Sequence, residues 1–154
     1  MRDQQLYHRD SGEFDTYSAL TVQHFMNPRN TGRLEGADGR GCTTSHLVED
    51  FVEISIRVDQ KSQRIVEARF RAVGSPAVMA CASLLTDLIK GRTVLEVGQI
   101  EAGELETELG GLPPRKRVCA ELPITALQAA VEDYQQRCAM NSVQRRAGRI
   151  PAAI

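Results

Sequence analysis

The chain has no uninterrupted apolar stretch near the roughly 20 residues that a bilayer-spanning helix needs, so no membrane span is expected. It also lacks an excess of either charge: 19 basic residues stand against 20 acidic ones, a net charge of -1. Without a global basic field, composition gives no reason to expect nucleic acid or an anionic membrane surface as a partner. Aromatic residues are sparse at 5%, yet a hydrophobic content of 42% over 154 residues suffices for one core and leaves no room for two large domains. A mean hydropathy of -0.30 with 25% charged residues excludes wholesale disorder. No Cys-x-x-Cys pair is present among Cys42, Cys81, Cys119 and Cys138, and the leading MRDQQLYHRDSGEFD is polar and acid-containing, unlike a secretory signal. Reduced thiols and a cytoplasmic location are the expectation. A glycine-rich phosphate loop between strand and helix, a GxSxG elbow and an HExxH helix are all missing, so the chain is expected not to be an enzyme.

What is present alternates between two periods. A first helix is expected from Asp15, turning Tyr17, Leu20 and Phe25 to one side and stopping before Pro28. Gly32, Gly36, Gly39 and Gly41 mark a flexible loop after it. From Phe51 to Val58 the residues alternate, with Val52, Ile54, Ile56 and Val58 on one face. A second alternation sets Val66, Ala68, Phe70 and Ala72 against Glu67, Arg69 and Arg71, so the pair reads as an antiparallel hairpin needing a helical cover. Ser75 caps an expected helix over 76–90, with Val78, Cys81, Leu85 and Leu88 in one stripe and Gly91 as its left-handed stop. Thr93 and Glu96 form a capping box, a short helix is expected over 101–109, and a last helix over 121–137 aligns Ile124, Leu127, Val131, Tyr134 and Cys138. The order indicates an α+β domain: a small antiparallel sheet of about three strands covered by helices, with an N-terminal helix and a C-terminal helical segment. Residues 1–13 read as a disordered lead, 14–140 as the domain, and 141–154, with Arg145, Arg146 and Arg149, as a basic flexible tail.

Cys81 and Cys138 lie on apolar helical stripes, where a thiol packs as a small hydrophobe. Cys119 follows Arg115-Lys116-Arg117 near the start of the last helix. It reads either as a thiol exposed to positive charge, with lowered pKa, or as a half-buried thiol at a loop-helix junction. Cys42 and His46, four apart, are a weak two-ligand pattern. His8 and His24 have no partner in sequence.

Several strings, in order, carry a family likeness over residues 17–137. HFMNPRNTGRLEGADG resembles the first helix and Asn-Pro-Arg-Asn turn of the NifU/IscU iron-sulfur cluster scaffolds. VEISIRV with RIVEARFRAVG resembles their hairpin, SLLTDLIKGRT their covering helix, and LPPRK, Leu112, Pro113, Pro114, Arg115 and Lys116, the segment that an Hsp70-type chaperone recognises. The resemblance implies a cluster held by three cysteines with help from an aspartate and a histidine, and a cysteine desulfurase as sulfur donor. Carried over residue by residue, the family's Cys-Gly-Asp falls on Val48-Glu49-Asp50, its second cysteine on Ser75, and its His-Cys pair on Val118-Cys119. Asp50 and Cys119 keep donor chemistry, Val48 has none, and a serine hydroxyl ligates iron poorly. One thiol and one carboxylate fall short of the roughly four thiolate-type ligands that clusters take.

The resemblance therefore implies a divergent cluster-assembly scaffold, a carrier or adaptor with an impaired site around Asp50, Ser75 and Cys119. Cys42 and His46 are candidate replacement metal ligands beside Asp50 and Cys119. The cargo is then an iron-sulfur cluster, iron or zinc, or no metal at all, and a homodimer sharing Cys119 from two chains stays open. Two alternatives remain: a metal-free module that binds the chaperone or desulfurase, and a persulfide relay through Cys119.

Overall fold

The computed structural model describes residues 17–45 and 49–149. Helix α1 (Ala19–Met26) is followed by strands β1 (Gly39–Ser45), β2 (Asp50–Val58) and β3 (Ile65–Val73). Then come α2 (Pro76–Ile89), α3 (Val94–Val97), α4 (Ala102–Leu109), a 3-10 turn (Pro114–Lys116) and α5 (Val118–Arg149). The three strands form one antiparallel sheet in the order β1-β2-β3. This is the α+β architecture expected.

Alternation in β2 decides the layering. Val52, Ile54, Ile56 and Val58 are buried on the face that α2 and α5 cover, with Ala68 and Phe70 of β3 beside them. In β3 the expected pattern fails at one point. A register shift pairs Arg57 with Glu67 but Val58 with Ile65, leaving Val66 as the extra residue. Ile65 therefore enters the core and Val66 is 56% exposed, because a bulge inverts the parity of what precedes it.

The expected glycine loop also becomes structure, since Gly39 and Gly41 lie in β1. A Cβ at Gly41 would overlap the backbone of Ala126 and Ala130, and one at Gly39 the carbonyl of Ala130. These glycines serve close packing of α5 on β1, rather than flexibility. Asp133 of α5 accepts the Arg40 N–H at 2.9 Å, and Tyr134 donates its hydroxyl to Gln63 Oε1 at 2.9 Å, fixing the helix across the sheet.

The expected Asp15 cap lies outside the described residues. Ser18 caps α1 by accepting from Thr21 N–H, and the helix buries Thr21 and His24 while Leu20 stays exposed. His24 Nδ1 shares a 2.8 Å hydrogen bond with Ser83 Oγ, which also accepts from Arg29 N–H at 2.9 Å. Asn30, at φ 62, donates to Thr86 Oγ1 and Asp87 Oδ1, so the Asn-Pro-Arg-Asn turn is pinned to α2. The caps at Ser75 and Thr93, the latter a full capping box, stand where the sequence signals them. Helix α5 begins earlier than expected, at Val118, and passes Arg137 to reach Arg149. Between Arg137 and Gly148 the residues include no proline or glycine to stop it.

Candidate functional site

One end of the sheet brings Asp50, Ser75 and Cys119 together. Asp50 opens β2 on the parity of Val52 and Ile54, so its carboxylate is aimed inward and buried. Gly74 precedes α2 at φ 139, and a Cβ there would overlap Asp50 Oδ1. The bare backbone lets Ser75 reach the carboxylate: its N–H donates to Oδ1 at 2.9 Å and its hydroxyl to Oδ2 at 3.3 Å. The same Oγ accepts from Val78 N–H at 3.4 Å and shares a 3.6 Å hydrogen bond with Cys119 Sγ. One serine thus links a carboxylate, a helix start and a thiol. The N-termini of α2 and α5 both end here, and the positive ends of the two helix dipoles favour negative charge.

Cys119 is 1% exposed, which overturns the expectation of a thiol open to solvent and to the neighbouring cations. As the second residue of α5 it shares the inward side with Ala120 and Leu122, and Arg117 pairs with Glu106 of α4 at 3.7 Å. Cys81 of α2 lies behind it. Burial pushes the Cys81 thiol far up from its ordinary range, with the neighbouring Cys119 and Glu106 adding to the shift, so it stays protonated as a core group.

Cys42 is not part of this arrangement, which corrects its grouping with Asp50 and Cys119. It pairs across the ladder with Glu53, three residues from Asp50 and so on the opposite face of the sheet. It is exposed there, beside the Glu53–Arg71 pair, whose two hydrogen bonds are 3.1 and 3.0 Å. His46 and Val48 lie outside the described residues. Among the described residues no three His, Cys, Asp or Glu side chains stand close enough to hold a metal ion. Asp50 and Cys119 are the donors among the described residues that could touch one at this end.

In the Leu-Pro-Pro segment, Leu112 is buried and anchors it, while Pro114 and Arg115 are exposed and Pro113 and Lys116 half-buried. Tyr17, Ser18, Gly110 and Gly111 line a shallow depression beside Leu112, Pro113 and Pro114. Sequence reading missed Gly74 and the Glu106–Arg117 tie. The Gly-Ser-Pro string signals a cap, but the approach of Asp50 to Gly74 is a tertiary contact.

The pattern of the NifU-like N terminal domain matches residues 16–141. The chain belongs to this family. It is 38% identical over 118 residues to iron-sulfur cluster assembly scaffold protein IscU 1 of Archaeoglobus fulgidus, covering 77% of this chain and 76% of that protein. It is 34% identical over 118 residues to the IscU scaffold of Aquifex aeolicus, covering 77% and 75%. The crystal structure of a nitrogen-fixing NifU-like protein from Brucella abortus superposes with a TM-score of 0.65 at 14% identity, covering 82% of this chain and 99% of that one. That of a SUF-system scaffold described as putative, from Fervidobacterium islandicum, gives 0.63 at 20%, covering 78% and 99%. Both structures share the NifU-like fold.

Proposed function

We propose that this NifU-like chain works in iron-sulfur cluster assembly as a carrier or adaptor, with a reduced cargo site and no catalysis of its own. The observation that carries the reading is the meeting of Asp50, Ser75 and Cys119 at one end of the molecule, linked through Ser75 Oγ. The scaffold names of relatives at 34–38% identity support the role. The cluster is cargo here, and the donors that meet at this end among the described residues are a single thiol and a single carboxylate. Soft iron-sulfur cargo is therefore held weakly, or completed by donors from the supplying partner. A cysteine desulfurase and an Hsp70-type chaperone are the partners this role calls for, the latter at Leu112 to Lys116. Work in the cytoplasm suits reduced thiols, and no helix among the described residues is long and apolar enough to cross a membrane.

The test is anaerobic reconstitution with ferrous iron and sulfide, read by visible absorption and metal content. The wild type is expected to retain little colour after desalting, and Ser75→Cys to retain clearly more, because a second thiolate then sits beside Cys119. Equal, colourless and metal-free behaviour of both proteins would count against a cargo role. A persulfide relay through Cys119 would instead appear as a sulfur adduct on that residue after incubation with a desulfurase.

A further inference from the structure

A thiol that is 1% exposed cannot receive cargo where it stands, so on the carrier reading an element beside Cys119 has to move. Asp50 opens β2, the central strand of the sheet, and Ser75 starts a helix whose first turns fully bury Ala77, Val78 and Ala80. Helix α4 is seated by Leu105 and Leu109, both fully buried. The stretch between α4 and the start of α5 differs from these, because Leu112 is the one buried residue from Gly110 to Val118. Segments with few buried apolar contacts are the ones that open locally.

Both ends of this stretch are built to bend. At its start Gly110 and Gly111 hold φ values of 83 and 98, and a Cβ on Gly111 would meet nothing within 4 Å, so that side of the backbone is open. Past its far end, Pro123 lies inside α5. Proline has no N–H, so the helix bond that would hold the Cys119 carbonyl is missing, and the proline ring crowds that same carbonyl. The weak point of the helix thus falls on the residue that carries the thiol. Between the two pivots, Pro113 and Pro114 fix φ, and Lys116 N–H donates to the Pro113 carbonyl at 2.8 Å, so the stretch moves as one piece. One of its fastenings to α4 is the pair of Arg117 Nε and Glu106 Oε2 at 3.7 Å, with the Arg117 side chain 65% exposed. An exposed pair of this kind is weak and salt-sensitive.

We propose that the stretch from Gly110 to Cys119 opens as a gate, pivoting at Gly110–Gly111 and at Pro123, and carries the thiol away from Ser75 into solvent. The Glu106–Arg117 pair is its clasp. The open form presents Cys119 to whatever delivers or collects cargo, and the closed form withdraws it. The use of the gate rests on the carrier reading, whereas its movement does not.

Alkylation of the full chain by iodoacetamide, followed residue by residue by mass spectrometry in a Cys42→Ser, Cys138→Ser background, tests this. Cys81, fully buried in α2, is the gauge of global unfolding. Cys119 is expected to react at least about ten-fold faster than Cys81 in native buffer, at a rate that barely rises in low urea while that of Cys81 climbs steeply. Arg117→Gln should speed Cys119 about two- to five-fold, the size that an exposed ion pair supports. Pro123→Ala, which restores the missing N–H, should slow it several-fold. Both variants are checked for folding by circular dichroism. Equal rates for the two thiols with one urea dependence, or either variant failing to shift Cys119 relative to Cys81 in the stated direction, would overturn the gate. Because the readout is thiol access rather than bound metal, a colourless reconstitution would sink the carrier reading and leave this result unchanged.

Discussion

At the scale of single residues, Ser75 and Gly74 do more than their neighbours suggest. Ser75 caps α2, satisfies both oxygens of Asp50 and touches the Cys119 thiol. Its reach depends on Gly74, whose φ of 139 is costly for any other residue and whose missing Cβ leaves room for the Asp50 carboxylate. Gly74→Ala is expected to destabilise the fold by about 2–4 kcal/mol, through backbone strain plus displacement of a buried carboxylate, measured by denaturant unfolding. A loss below about 0.5 kcal/mol would show that Asp50 moves aside freely. The identities at this site were legible in the sequence: Asp50, Ser75 and Cys119 are separated by 25 and 44 positions, yet their strings pointed to one rim. The burial of Cys119 was not legible, because three adjacent cations describe sequence neighbours rather than the helix face on which the thiol falls.

At the scale of elements, the joint between α1 and α2 is polar and buried. His24 has its pKa lowered from 6.5, first by burial and then by Arg29, with Asp87 acting the other way. Between that lowered value and 6.5 the unfolded chain binds more protons than the folded one, so stability rises with pH there. The contribution is intact above about pH 6.5 and is lost as pH falls below it. Thermal unfolding should therefore show a drop in Tm from about pH 7.5 to about pH 5.5 that is smaller in His24→Gln, which keeps an acceptor for Ser83. Identical pH profiles would remove His24 as the cause. Elements themselves were read well where caps and periodicity agree, as in α2 and α3. They were misread where a glycine had two meanings: Gly39 and Gly41 looked like loop, but the α5 backbone lies against them. Val66 was misplaced for a related reason, since a bulge leaves no mark in an alternating pattern.

At the scale of the whole molecule, the family match ends at residue 141 while α5 continues to Arg149. The residues beyond Asn141 are exposed as far as Gly148, so the core is complete without them. A chain ending at Asn141 should unfold with the cooperativity of the full protein and within about 0.5 kcal/mol of its stability. A larger loss of stability would mean that these last turns pack on their own domain.

The sequence by itself determined the fold class, the caps of α2 and α3 and the core stripes of β2, α2 and α5, because these depend on residue type and local period. Only the tertiary structure decided that Cys42 stands apart from Asp50, that Cys119 is shut away, and that Met140 and Val143 of α5 stay exposed past Cys138. Each of those depends on which face of an element meets which neighbour, and that is settled by packing across distances that local periodicity does not encode.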